Sequence, residues 1–472
     1  MIISISRYLS IVLLKYYTTV IFGGKNMTKL FILTLVIFTV SNSSCFADQF
    51  LKQNNTQSKT NHSFNIKQCI DIAIKKNPDI SKNKWEIKSA IEAKNITKST
   101  LGFQGNFIGS YMHHLDTIGL SKASQPGELL SFVDDIASAT IILKVPLYTG
   151  GKLRNKLESS RKAIESVKFQ FIRTKRELVY NVSLLFYSIL GQKKVIESMK
   201  FSRKALIEHR KIVKNLLLAK KTAKVDLLRT EVRIADIDQQ ILHENNVLNT
   251  RHFMLTNLMG LDSQDRSFKI SGKLTLSKKS FHSLDFNRVF YKRQDYRSLN
   301  SKIEIQQKLL QIAKKGRSPD VYLQATYGNN WAIDTPIGNT NESEDFGKIG
   351  VTMSFPVFDG GRINANKKLE YNRLKSLEED LRKLKLKIKL ELEIANSNIE
   401  STHARVNVTQ KSTEQAKESL RIEREKYNLG KGVVVDVLDA QSALLNSQKS
   451  YYRALADHNT ALEQFKLAKG VK

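Results

Sequence analysis

The most regular hydrophobic pattern in the chain follows Gly361. Leu374, Leu377, Leu381, Leu384, Ile388, Ala395 and Ile399 recur at three- and four-residue spacing, and Val406, Thr409, Thr413, Ala416 and Leu420 carry the seam onward. This spacing keeps one stripe of a helix apolar over many turns, as in coiled-coil packing. No proline or glycine falls between Gly361 and Gly430. The pattern therefore predicts one helix on the order of 100 Å long, at 1.5 Å per residue. Ile164, Val167, Phe171, Leu178, Leu185 and Ile189 set out a second seam of the same kind. Shorter helical stretches are expected over about 71–99, 222–259, 286–315 and 433–469. Two of these placed end to end match the length of one long helix, so they could stack alongside it.

Elsewhere the period drops to two. Phe103, Phe107 and Tyr111 share one strand face, as do Ile141, Leu143 and Val145 opposite Thr140 and Lys144. Val321, Leu323, Ala325 and Tyr327 follow, and then Ile349, Val351, Met353 and Phe355 opposite Lys348, Thr352 and Ser354. Strands are expected at about 103–112, 136–147, 320–329 and 346–357. Strands of this kind suit a membrane barrel wall around a wet lumen, although the edge of a soluble sandwich alternates in the same way. Four strands cannot close around water, so a barrel requires several chains.

The two halves of the chain repeat each other. Pro146-Leu-Tyr-Thr-Gly150-Gly151-Lys-Leu returns as Pro356-Val-Phe-Asp-Gly360-Gly361-Arg-Ile, and Val225-Asp226-Leu-Leu returns as Val435-Asp436-Val-Leu. Two copies, 64–260 and 284–470, are joined by a connector at 261–283. Proline ends a strand ladder, and paired glycines allow a sharp turn into a helix. Pro146, Gly150, Gly151, Pro356, Gly360 and Gly361 are therefore read as strand-to-helix turns, with Tyr148 and Phe358 near the junction.

Composition fits long elements: 472 residues carry only 22 Gly and 6 Pro. The net charge of +31 first suggests nucleic acid, but Lys and Arg spread over long solvated helix faces explain it without such a partner. Met27-Thr-Lys, the apolar run Leu30 to Val40 and the small residues before Ala47 read as a signal peptide within a signal region 1–47. Residues 1–26 then read as an over-extended start and 48–63 as a polar leader. Cys45 raises lipidation, but Asn42 stands where a lipobox takes an aliphatic residue. Removal of 1–47 leaves a charge of +27 and one cysteine, Cys69, hence no internal disulfide. No metal, cofactor or catalytic spacing is found, so no enzyme is expected.

The twin Pro-x-[Tyr/Phe]-x-Gly-Gly turns, each leading from a strand into a very long helix, resemble the TolC family of outer-membrane efflux proteins. So does Tyr427-Asn-Leu-Gly-Lys-Gly-Val-Val-Val-Asp-Val-Leu-Asp439. The resemblance implies a mostly α fold with membrane β: a homotrimer whose twelve-stranded barrel, four strands per chain, continues as a periplasmic α-helical tunnel. It further implies an exit duct in the outer membrane, serving an inner-membrane RND or ABC transporter through a periplasmic adaptor. The duct would pass drugs, small molecules or secreted proteins, with no enzymatic step. By themselves, Asp436 and Asp439 are accounted for as carboxylates near a helix N-terminus; the resemblance makes them an entrance ring governing selectivity. It likewise makes Asp226 and Tyr427 a latch that holds the tip closed. Where the family often has a latch arginine, this chain has Gly432 beside Lys431. The competing expectation is a secreted, basic coiled-coil binding protein.

Overall fold

The structure, a computed structural model, describes residues 63–119, 132–262, 268–277, 286–333 and 343–471, all within the unit Asn61–Lys472. The expected signal region, nearly all of the leader and parts of the connector lie outside the described residues.

The four long strands form one antiparallel meander. β2 (Gln104–Gly119), β3 (Phe132–Tyr148), β5 (Asp320–Ile333) and β6 (Ser343–Ser354) lie in the order β2-β3-β5-β6. A two-residue strand β1 (Ser63–Phe64) pairs in parallel with β4 (Lys269–Ile270). Register sets Phe107, Ile141 and Tyr327 in one row across the sheet, and Leu143, Ala325 and Ile349 in another, so odd-numbered residues build one apolar face. The even face carries Ser110, hydrogen-bonded to Ser138 at 2.7 Å, together with Thr140, Lys144 and Gln324.

Three of the strands run beyond the expected limits, because pairing continues where the alternation of side chains fades. The last behaves differently: β6 begins earlier than 346 and stops at Ser354, short of 357. Among the described residues no strand pairs with its far edge, and Phe358 is left 91% exposed.

Two helices of 67 residues dominate: α3 (Lys152–Leu218) and α7 (Arg362–Asn428). The shorter ones are α1 (Ile66–Lys76), α2 (Pro78–Ser99), α4 (Lys224–Leu258), α5 (Phe286–Lys292), α6 (Gln294–Lys314) and α8 (Val434–Lys469). α2 and α4 lie along one side of α3, α6 and α8 along its other side, and α7 beyond them. Seam residues Leu178, Ile189, Leu374, Ile388, Ala395, Ile399, Val406 and Leu420 are buried between these helices. Among the described residues no helix is long and apolar enough to cross a membrane.

The stretches expected as single helices at 71–99 and 286–315 are each divided. At Asn77 the backbone turns extended (φ −62°, ψ 129°), because the ring of Pro78 disfavours the helical conformation in the residue before it. The Asn77 carboxamide then caps α2 by accepting from Asp79 N at 2.8 Å, and donates to Leu258 O at 3.0 Å, at the end of α4. The second break falls at Arg293 without a proline. Its guanidinium donates to Asp295 at 2.5 and 3.0 Å, to Glu391 at 2.7 Å and to Ala468 O at 3.1 Å, at the end of α8. Each break thus receives the end of another helix and satisfies one of its last carbonyls. Gly260 and Gly470 permit this contact, since a Cβ at Gly260 would lie 2.4 Å from Lys76 O.

The strand-to-helix turns require their glycines to different degrees. Gly150, Gly151, Gly360 and Gly361 all have positive φ, from +60° to +85°. Only at Gly150 is space also missing, because an added Cβ would sit 2.4 Å from Ser318 Cβ. Gly150→Ala is therefore expected to cost about 2–3 kcal/mol. Gly360→Ala carries the backbone penalty alone, about 1 kcal/mol. Unfolding midpoints of the two variants measure the difference, and equal losses would contradict it.

Candidate functional site at the helical tip

The end of the helices remote from the sheet is made by two turns, α3 to α4 and α7 to α8. Each closes with a left-handed residue, Lys220 (φ 57°) in the first and Gly430 (φ 71°) in the second. In each, an amide reaches back to the last helical turn: Lys221 N to Leu216 O at 2.8 Å, and Lys431 N to Lys426 O at 2.9 Å.

Asp226 and Asp436 occupy equivalent places, in the first turns of α4 and α8. Their surroundings differ because of one residue. In the first copy the Thr222 hydroxyl donates to Asp226 Oδ2 at 2.7 Å, and Arg229 lies 3.6 Å from the same carboxylate. In the second copy Gly432 replaces Thr222, and Asp436 stands exposed. Asp439, one turn on, is 72% exposed, and Arg233 of α4 lies 3.9 Å away across the crevice between α4 and α8.

Tyr427, at the end of α7, is 8% exposed and packs against the His209 ring with centroids 5.2 Å apart. Burial pushes the phenol pKa up; nearby Thr222 works against that rise, and the Asp226 charge adds to it. Asp226 and Tyr427 are thus neighbours at the tip with Thr222 involved with both, but no direct hydrogen bond joins them.

Several residues unmarked by sequence reasoning bind the tip together. Arg424 of α7 donates to Gln441 Oε1 of α8 at 2.6 Å, and Gln441 Nε2 donates to Ser202 of α3 at 2.8 Å. His209 is buried on α3 with Nε2 unpartnered. A signal for two of them existed: Val195, Met199, Ser202, Leu206, His209 and Val213 follow strict three-four spacing. Ser202 and His209 are therefore polar residues at apolar seam positions.

Among the described residues no group of three or more His, Cys, Asp or Glu is placed to hold a metal ion. Cys69 is buried, and burial pushes its thiol up to about 11, which makes it inert as a nucleophile at neutral pH.

The fold is that of outer-membrane channel subunits. The Campylobacter jejuni CmeC outer membrane channel superposes with a TM-score of 0.74 at 16% identity, covering 88% of this chain and 89% of that one. The open state of the Neisseria gonorrhoeae MtrE outer membrane channel superposes at 0.69 with 15% identity, over 89% of this chain and 94% of that one. Residues 292–471 match the family described as outer membrane efflux protein. Outer membrane protein TolC of Vibrio cholerae is 20% identical over 412 residues, covering 86% of this chain and 90% of that protein. These findings bear out the resemblance carried by the Gly-Gly turns: residues 292–471 match the outer membrane efflux protein family, the chain is similar to TolC over most of its length, and its similarities point to the outer membrane.

Proposed function

We propose that this chain is one third of a homotrimeric exit duct. Its strands complete a twelve-stranded outer-membrane barrel, with the odd-numbered apolar face toward lipid, and its helices form a tunnel across the periplasm. Cargo (drugs, small molecules or secreted proteins) enters at the tip from an inner-membrane RND or ABC transporter through a periplasmic adaptor. The observation that carries this reading is a pair of matching open ends. Among the described residues the sheet ends unpaired at β2 and β6, and the strip of helices ends at α2 and α4 on one side and α7 on the other. α2 leads into β2, and β6 leads into α7, so sheet and strip are open on corresponding sides. The free side of α7 exposes Leu386, Leu390 and Ile394, spaced four residues apart, a second apolar seam with no partner among the described residues of its own chain.

Cross-linking through cysteines on the two sheet edges, for instance at Asn106 and Gly350, is expected to stop at three chains in detergent. A detergent-free soluble dimer would overturn the duct. In cells, a deletion strain is expected to gain drug sensitivity or to lose secreted proteins.

In this reading Asp226 and Tyr427 belong to the tip latch, with Asp226 acting by holding Thr222. Asp226→Ala is expected to raise single-channel conductance several-fold. An unchanged closed state would remove Asp226 from the latch.

A further inference from the structure

The tip contains a buried titratable group that the duct reading leaves without a role. His209 lies between Leu206 and Val213 in the α3 seam and is 7% exposed. Its ring meets Tyr427 of α7 at an interplanar angle of 60°. At this contact the polar atom His209 Nε2 is buried without a partner. Beside it runs a cleft of about 340 Å³ between α3 and α7, lined by Phe201, Lys204, Glu208, Ile212 and Arg424 among others.

We propose that His209 is a proton-operated release of the α3–α7 contact. Neutral, it lets Tyr427 pack and the tip stay closed; protonated, it forces the two helices apart. This rests on the reading of Tyr427 as part of a closed-tip latch.

The surroundings offer the cation little. From α7 come the Arg424 guanidinium, which repels it, and the Tyr427 ring, met edge-on. α8 presents Gln441, already engaged by Arg424 and Ser202. Asp226 of α4, behind Tyr427, is occupied by Thr222 and Arg229. On α3 itself, Lys204 and Glu208 line the cleft with opposite charges, and Glu208 pairs with Lys211 at 3.1 Å. The cleft gives the protonated ring somewhere to go, toward water and Glu208, once the seam parts.

The energetic bias follows from linkage. Burial first, and then the Arg424 charge, push the imidazole from its ordinary 6.5 down to about 4. A ring released to solvent binds its proton near 6.5, so the open tip carries more protons than the closed one. Closure is therefore unaffected well above pH 6.5, weakens as pH falls through the interval between 6.5 and about 4, and levels off well below it. At pH 5 the bias toward release is roughly thirtyfold per chain.

The test uses the full-length protein with Asp436→Asn and Asp439→Asn in place, so that the entrance carboxylates do not contribute. Spin labels at Lys211→Cys and Lys431→Cys report the within-chain tip distance at pH 7.5 and pH 5, and planar bilayers report open probability. With His209 present, the distance is expected to lengthen and open probability to rise at least tenfold at pH 5. His209→Gln, and His209→Phe, which keeps the seam filled, should abolish both changes. The same pH response in either variant, or no response with His209 present, overturns the proposal. Should no channel form at all, the duct reading fails, and the label distances still decide the role of His209.

Discussion

Arg293→Ala is expected to be the most destabilising single substitution in the helical region, lowering unfolding free energy by about 3 kcal/mol. Arg293 is 1% exposed and bonds two carboxylates and a carbonyl belonging to three different helices. Burial works against the Asp295 charge, and the Arg293 guanidinium outweighs it, holding that carboxyl below its ordinary range. Truncation leaves Asp295, Glu391 and Ala468 O without their shared donor, and water reaches them only partly, since Asp295 is 21% and Glu391 31% exposed. That partial access keeps the expected cost at the low end for a broken buried ion pair. Arg293→Lys is expected to recover less than half of the loss, because a single ammonium cannot span both carboxylates and the carbonyl. Asn77→Ala, at the corresponding break, removes a cap and one carbonyl bond and is expected to cost about 1–2 kcal/mol. Denaturant midpoints in detergent rank the three variants. A cost for Arg293→Ala no larger than that for Asn77→Ala would show that the charge cluster contributes nothing beyond a cap.

Asp436→Asn combined with Asp439→Asn is expected to have the largest effect on conduction. In the proposed trimer these positions would bring six carboxylates to the entrance, where a ring of negative charge favours cations and binds multivalent ones most strongly. Asp436 is exposed without the tether that holds Asp226, so in the proposed duct its charge would be available to the lumen. Asp439 is partly offset by Arg233 at 3.9 Å, so Asp436 alone is expected to account for more of the effect than Asp439 alone. The double variant should lose block by multivalent cations by at least tenfold and lose cation preference in bilayers. Unchanged selectivity and block would remove both residues from the entrance. Arg233→Ala, in contrast, should strengthen the block by freeing Asp439.

Legibility of the chain tracked periodicity. The seam after Gly361 and the earlier one from Ile164 needed only local spacing to predict long helices, and α3 and α7 are both 67 residues long. The helix breaks were harder. Pro78 advertises the first, but nothing local marks Arg293, where the break exists because the end of α8 has to be received there. The tip was partly visible: Asp226, Tyr427, Asp436 and Asp439 could be named through family resemblance. His209 and Ser202 could have been found as polar intrusions in an apolar seam. Arg424 and Gln441 carry no such mark, since their pairing depends on how α7 and α8 come together.

By itself, the sequence determined the elements: where side chains alternate, where they recur every three or four residues, and where paired glycines turn a strand into a helix. These follow from local sterics and from the repeat of one face. Only the tertiary structure decided which helices stack end to end, that Asp226 is tethered while Asp436 is free, and that sheet and helical strip are open on corresponding sides. Those outcomes rest on contacts between residues as far apart as Arg293 and Ala468, and no local pattern encodes which distant group will satisfy a buried charge or carbonyl.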